Sequence, residues 1–161
     1  MDAAYNLARW LTRNDHDARD VTQEAMLRAF RFCDALRGEA RPWLLAIVRN
    51  ACFTWLQANR PADLAGALED RAEEPSPAEG PEALLARELD RRLLNEAIAA
   101  LPAQFREVLV LRELEDLSYK DIARVVDAPI GTVMSRLSRA RRLLADSMRV
   151  ITRASRPSVH E

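Results

Sequence analysis

Lysine occurs once in these 161 residues, at Lys120, while glycine occurs four times and cysteine and histidine twice each. The scattered glycines do not assemble a phosphate-cradling loop. Cys33 and Cys52 lie far apart, with neither a CxxC pair nor nearby histidines to complete a zinc site, so they read as buried free thiols. His16 and His160 are isolated, and no nucleophile, base and orienting group come together. No catalytic residue, metal ligand or cofactor is therefore assigned, and an enzyme is not expected. No apolar run approaches the roughly 20 residues a bilayer requires, and the N-terminus lacks the basic-then-apolar pattern of a secretory signal. Membrane insertion is not expected, and the cytoplasm is the expected compartment.

What is present is helical periodicity. Residues 117–144, LSYKDIARVVDAPIGTVMSRLSRARRLL, read as two amphipathic helices joined by a tight turn. Ser118 and Asp121 have capping-box spacing, and Ile122, Ala123, Val125 and Val126 form the apolar side of the first helix. Asp127-Ala128-Pro129 breaks it. In the second helix Val133, Leu137, Ala140 and Leu144 recur on one stripe, leaving Thr132, Ser135, Arg136 and Arg139 elsewhere. Ala123 and Gly131 are small enough for a close crossing. An arginine-rich helix alone reads as a solvated face beside a core stripe. The capped helix and proline turn before it favour a helix-turn-helix that enters a DNA groove.

The formal net charge is only -1. Duplex-binding proteins usually carry a basic excess, which here is local: residues 131–153 hold six arginines against one aspartate. A basic reader on an otherwise acidic chain suggests that another molecule supplies much of the DNA affinity.

The chain opens with Tyr5, Leu7, Ala8 and Leu11 at helical spacing, as though in mid-pattern, which suggests residues missing upstream. Asp15 or Asp17 is placed to cap a second helix, with Val21, Ala25, Leu27 and Phe30 as its apolar stripe and Asp20, Gln23, Glu24 and Arg28 outside. After a polar loop at residues 37–41, a third helix has Pro42 in its first turn and packs through Leu44, Ile47, Val48 and Ala51. Its Trp43, Arg49, Phe53, Trp55 and Arg60 interleave rings and cations, a pattern that suits single-stranded nucleic acid. Periodicity alone favours a plainer reading, in which those rings belong to a three-helix core.

Residues 61–81 hold four of the eight prolines together with Glu69, Asp70, Glu73, Glu74 and Glu79, the composition of a flexible acidic linker. The expected organisation is all-α: a helical domain over residues 1–60, a linker over 61–83, a second helical domain over 84–153 and a tail over 154–161. Leu85, Leu89, Leu93 and Ile98 are expected to pack in the first helix of the second domain, and Phe105, Val108, Leu109 and Val110 in the next. Domains this small bury only about 60% of their unfolded surface, so each is expected to be marginal alone.

Asp20-x-x-Gln23-Glu24, RGEARPWLLAIVRN (residues 37–50), LPAQFREVLVLRELEDLSYKDIA (101–123) and GTVMSRLSRARRLL (131–144) together resemble a bacterial RNA polymerase sigma factor. The resemblance is to the small extracytoplasmic-function (ECF) group of the sigma-seventy family, which has a region 2 bundle, a linker and a region 4 helix-turn-helix. It covers nearly the whole chain, with four motifs in order. The departures are Asp127 where a glycine often stands in the turn, and a loop shortened around Pro42.

The resemblance implies that Asp20, Gln23 and Glu24 dock on the clamp helices of the polymerase beta-prime subunit, and that region 4 meets the beta flap. It implies that Arg37, Arg41, Trp43, Arg49 and Asn50 recognise and open the minus-ten promoter element, Asn50 lying where a flipped nontemplate base is held. Thr132, Ser135, Arg136 and Arg139 would read the minus-thirty-five element. The implied partners are core RNA polymerase, promoter DNA and an anti-sigma factor, and the implied activity is non-covalent promoter-specific initiation. Two alternatives remain at this stage: a sigma-like decoy that titrates an anti-sigma factor, and a free-standing helix-turn-helix regulator.

Overall fold

The computed structural model describes residues 2–59 and 80–155. Among these residues the chain forms seven α-helices and no strand. Helix α1 (Asp2–Thr12) buries Ala4, Leu7, Ala8 and Leu11 along one stripe. It stops at Arg13, which turns left-handed with φ 60°.

The second helix, α2 (Asp15–Arg31), is capped by Asn14 rather than by either aspartate expected above. Asn14 is extended, and its Oδ1 accepts from the Asp17 amide at 3.0 Å. Asp15 and Asp17 instead occupy the first turn, where carboxylates face the positive end of the helix dipole. The buried stripe is Ala18, Val21, Thr22, Ala25 and Ala29. Leu27 and Phe30, expected in that stripe, face outward at 64% and 81% exposure. The small inward residues let α2 lie close against its neighbours.

A 3-10 turn at Cys33–Ala35 and Gly38, at φ 82°, lead into α3 (Ala40–Asn59). Its buried positions are Pro42, Leu45, Val48, Ala51 and Cys52, while Leu44 and Ile47 pack half-buried at the flank. Phe53 and Trp55 also pack against the core, as the plainer reading required, whereas Trp43, expected with them, is half-buried outside that cluster. Cys52 is a buried thiol, but Cys33 is exposed, against expectation, because the 3-10 turn buries none of its residues. Helices α1, α2 and α3 each pack on the other two.

The expected linker falls largely on residues 60–79, outside the described residues. Helix α4 (Pro81–Ala99) begins at Pro81, so residues 81–83, assigned above to the linker, are helical. Pro81 sits where a missing amide costs nothing. Leu85 and Leu89 do not pack inward, being 62% and 51% exposed, and full burial is confined to Ala97, Ile98 and Ala99. Next comes α5 (Ala103–Leu109), which widens into a π-helical turn at Val110–Leu114 and is followed by α6 (Tyr119–Val126) and α7 (Ile130–Ser155).

Every residue from Phe105 to Leu111 is buried, so α5 is enclosed on all sides beyond its first two residues. It packs on α7 and also on α1, while α6 packs along α3. The interiors of the two helical units therefore merge into one cluster running from Ala4 to Ala140, rather than forming separate cores. Truncating a central member such as Leu111 to alanine would cost about 2–5 kcal/mol.

Candidate nucleic-acid interface

The helix-turn-helix is built by local chemistry. Ser118 is extended at the start of α6, and its Oγ accepts from the Asp121 amide at 3.1 Å, one arm of the expected capping box. The Asp121 carboxylate lies 4.0 Å from Arg124. Ile122, Val125 and Val126 are buried. Asp127 ends α6 in the left-handed conformation, φ 52° and ψ 56°, with its amide returning to the Ala123 carbonyl. Aspartate tolerates that region better than most side chains. The Pro129 carbonyl then accepts from Val133, starting α7.

On α7 the stripe of Val133, Leu137 and Ala140 is fully buried, and Leu144 packs at its edge. Ser135 and Arg139 are exposed, Thr132 and Arg136 half-buried. Gly131 does not serve a close crossing: a Cβ there would meet nothing within 4 Å. The Arg139 guanidinium lies 5.4 Å from the Phe105 ring centroid, which anchors its stem against α5. Ser135, Ser138, Arg139 and Arg142 line a shallow depression on the helix surface. A face of hydroxyls and guanidiniums on a rigid helix matches the donor requirements of base edges and phosphates.

The second group of candidate residues lies around the start of α3. Arg37 and Asn50 are exposed, and Trp43 is half-buried. Arg49 stacks over the Phe53 ring at 4.1 Å, and its Nη1 donates to the Asn50 Oδ1 at 3.3 Å. Arg49, Asn50 and Phe53 thus share one surface. Arg49 is nevertheless only 20% exposed, because its Nε and Nη2 donate to the two carboxylate oxygens of Glu107 on α5, at 2.8 and 3.2 Å. Arg41 donates to the Glu115 carbonyl at 2.9 Å and to its carboxylate at 3.2 Å.

On α2, Asp20, Gln23 and Glu24 are all exposed. Glu24 pairs with Arg28 at 3.2 Å and Asp20 lies 3.3 Å from His16, both one helical turn away. Leu27 and Phe30 add apolar area to the exposed surface of the same helix.

Three charged residues in this neighbourhood were not singled out from the sequence: Arg106, Glu107 and Glu115. Glu107 is completely buried, and burial raises its carboxyl above the usual range, opposed by the hydrogen bond and charge of Arg49 and the charge of Arg136. Arg106 is 5% exposed, and its fork donates to the carbonyls of Trp10 at 2.8 Å and Leu101 at 2.7 Å. Burial, reinforced by the charge of Arg13, lowers it to about 10, which leaves it charged at neutral pH. For Arg106 and Glu107 the signal was their position: charges beside an apolar run inside a helix must be paired when buried.

Among the described residues no helix is long and apolar enough to cross a membrane. Residues 1–61 match the family "Sigma-70 region 2", and residues 91–144 match "Sigma-70, region 4". The chain is 35% identical over 146 residues to the ECF RNA polymerase sigma-E factor of Escherichia coli strain K12, covering 85% of this chain and 76% of the relative. The sigma-E factor of Haemophilus influenzae is 37% identical over 152 residues, covering 88% and 79%. Among solved structures, the sigma factor RpoE in complex with the anti-sigma factor NepR from Bartonella quintana superposes with a TM-score of 0.70 at 27% identity, covering 92% of this chain and 91% of that one. CnrH in complex with the cytosolic domain of CnrY shares the fold, with a TM-score of 0.63 at 22% identity over 96% and 83%. A helix-turn-helix edged with arginine, a three-helix unit before it, and matches at both ends of the chain agree, and the chain belongs to the ECF group of the sigma-70 family.

Proposed function

We propose that this sigma factor binds core RNA polymerase in the cytoplasm and directs it to a two-part promoter. Its action is non-covalent, with no catalytic residue and no cofactor. Asp20, Gln23 and Glu24 dock on the beta-prime clamp helices, and region 4 engages the beta flap. Thr132, Ser135, Arg136 and Arg139 read the minus-thirty-five element from the major groove. Arg37, Arg41, Trp43, Arg49 and Asn50 take the minus-ten element, with Asn50 and the Arg49 stack beside a captured base. The polymerase supplies most of the basic surface, consistent with a net charge of -1 on this chain. An anti-sigma factor is the expected regulator.

The observation that supports this reading best is that the arginine-edged helix and the polar α2 face stand outward on one chain. The reading is tested by reconstituting core polymerase with the chain and assaying promoter-dependent transcripts. Specific transcripts are expected. Binding to an anti-sigma factor with no transcription from any promoter would turn the reading into that of a decoy.

A further inference from the structure

We propose that Met134 reads a thymine in the minus-thirty-five element, by packing its thioether side chain on the C5-methyl group in the major groove. The inference rests on the functional reading above, which places α7 in that groove, and adds to it a residue and a base. Along α7 the exposed residues come in adjacent pairs: Met134 with Ser135, Ser138 with Arg139, and Arg141 with Arg142. Between them fall the buried positions Leu137 and Ala140, with Val133 just before. Steps of four and three residues keep the pairs on one side of the helix, away from the buried stripe. The outward crest therefore runs from Met134 to Arg142, with Thr132 and Arg136 half-buried along its flank.

Five of those six crest residues carry hydroxyl or guanidinium groups, and Met134 alone is apolar. It is 51% exposed, and Ile130, one turn earlier, is 45% exposed. The two make an apolar strip at the N-terminal end of the helix, the end from which a recognition helix reaches base edges. Scattered apolar residues on a protein surface are ordinary and need no partner. On this crest, however, the strip loses its water when the helix enters the groove, and the bases decide whether that loss is favourable.

The major groove presents hydrogen-bond donors and acceptors, together with one projecting apolar group, the thymine methyl. A thioether set against any other edge would desolvate polar atoms without pairing them. Against the methyl it buries apolar area on both sides, and the unbranched methionine chain can follow the methyl's position. The surrounding arginines favour a polyanion over a protein surface as the occupant, since residues 131–153 hold six arginines against one aspartate. Ser135 and Arg139 then supply polar readout beside an apolar contact from Met134.

The test uses holoenzyme assembled from the full-length chain and core polymerase. A promoter is first selected from duplexes randomised across the minus-thirty-five segment. Each thymine of that segment, on either strand, is then replaced singly by deoxyuridine, which pairs identically and lacks only the methyl group. At one thymine, wild-type holoenzyme is expected to bind the deoxyuridine duplex roughly fourfold more weakly, the factor for burial of about one methyl-sized group. Met134→Ala should lose affinity for the thymine duplex and no longer distinguish the two, whereas Met134→Leu should keep the discrimination. Val150→Ala, which removes an exposed apolar side chain near the other end of α7, should behave as wild type. A selected segment without thymine, or indifference of wild type to deoxyuridine at every position, would overturn the contact. Discrimination that persists in Met134→Ala would overturn it too. Weaker binding of Met134→Ala to core polymerase, with the deoxyuridine difference unchanged, would make the strip a protein contact instead. Selection of no sequence at all would reject the sigma-factor reading, and this inference with it.

Discussion

The Nη1 of Arg106 donates to the backbone carbonyl of Trp10 at 2.8 Å across 96 residues of sequence. A side chain from α5 thereby satisfies a carbonyl that α1 cannot pair internally. Lysine at this position keeps the charge but loses the fork that serves Trp10 and Leu101 together. Arg106→Lys is expected to lower stability by about 2 kcal/mol, the usual range for buried hydrogen bonds to a charged group. Urea unfolding monitored by far-UV circular dichroism measures it, and a change within experimental error would show that the tie is dispensable.

On α2, the exposed residues separate binding from stability. Combined alanine substitution of Asp20, Gln23 and Glu24 is expected to weaken core polymerase binding and leave thermal unfolding within about 0.5 kcal/mol of wild type. Phe30→Ala, at 81% exposure, should behave alike for stability. Val21→Ala, by contrast, should destabilise by more than 1 kcal/mol because it opens a cavity in the bundle. Unchanged affinity of a correctly folded triple variant in a pull-down would remove the docking assignment.

Much of this organisation was legible in the sequence. Period and punctuation located the helices, and the turn between α6 and α7 was readable from Ser118, Asp127 and Pro129. Burial was less legible on α2 and α4, where leucines at helical spacing face outward: Leu27, Leu85 and Leu89 carry the right residue type on the wrong side. Alanines at Ala18, Ala25 and Ala29 define the inward side of α2, and alanine carries little periodic signal. The pairing of Arg49 with Glu107 lay beyond any local pattern, since it joins residues 58 positions apart. Residues of both units were assignable to nucleic-acid contact by type and spacing, but the pairing of Arg41 and Arg49 with carboxylates of the other unit was not.

For the recognition helix, Arg136→Ala is expected to lower initiation mainly at the cognate promoter and to relax preference within the minus-thirty-five element. A bidentate guanine contact is worth about 1–3 kcal/mol of discrimination, whereas a phosphate contact would weaken all sequences alike and reduce the salt slope by roughly one. Competition of holoenzyme between native and point-mutated promoters distinguishes the two. Equal loss on every sequence would make Arg136 a backbone anchor.

The two thiols should react very differently. Burial, with a contribution from the charge of Glu107, pushes Cys52 from an ordinary 9.0 up to about 12, while Cys33 is exposed. One thiol per native chain should react with an aromatic disulfide reagent at pH 8, and two after denaturation. The raised value also sets a direction for stability. The folded chain keeps the Cys52 proton that the unfolded chain releases, so this contribution is intact below about pH 9 and is lost as pH rises towards 12. Cys52→Ala should flatten the alkaline limb of a stability profile measured by denaturant unfolding, and an unaltered limb would contradict the assignment.

The π-helical turn at Val110–Leu114 makes chain length, rather than residue identity, the sensitive quantity between α5 and α6. Its wider winding fits more residues into each turn than an α-helix does. The side chains it aims have separate destinations: Arg112 donates to the Leu117 carbonyl and stacks over Tyr119, Glu113 pairs with Arg141, and Glu115 meets Arg41. Deleting one residue would let the segment wind as a regular helix and leave its two flanks close to in phase, whereas adding one would rotate everything after it by about 100°. All three connections would then be lost together with hardly any change in composition. Insertions here should therefore be far less tolerated than substitutions, and the segment acts as a phase-setting spacer between two otherwise ordinary helices.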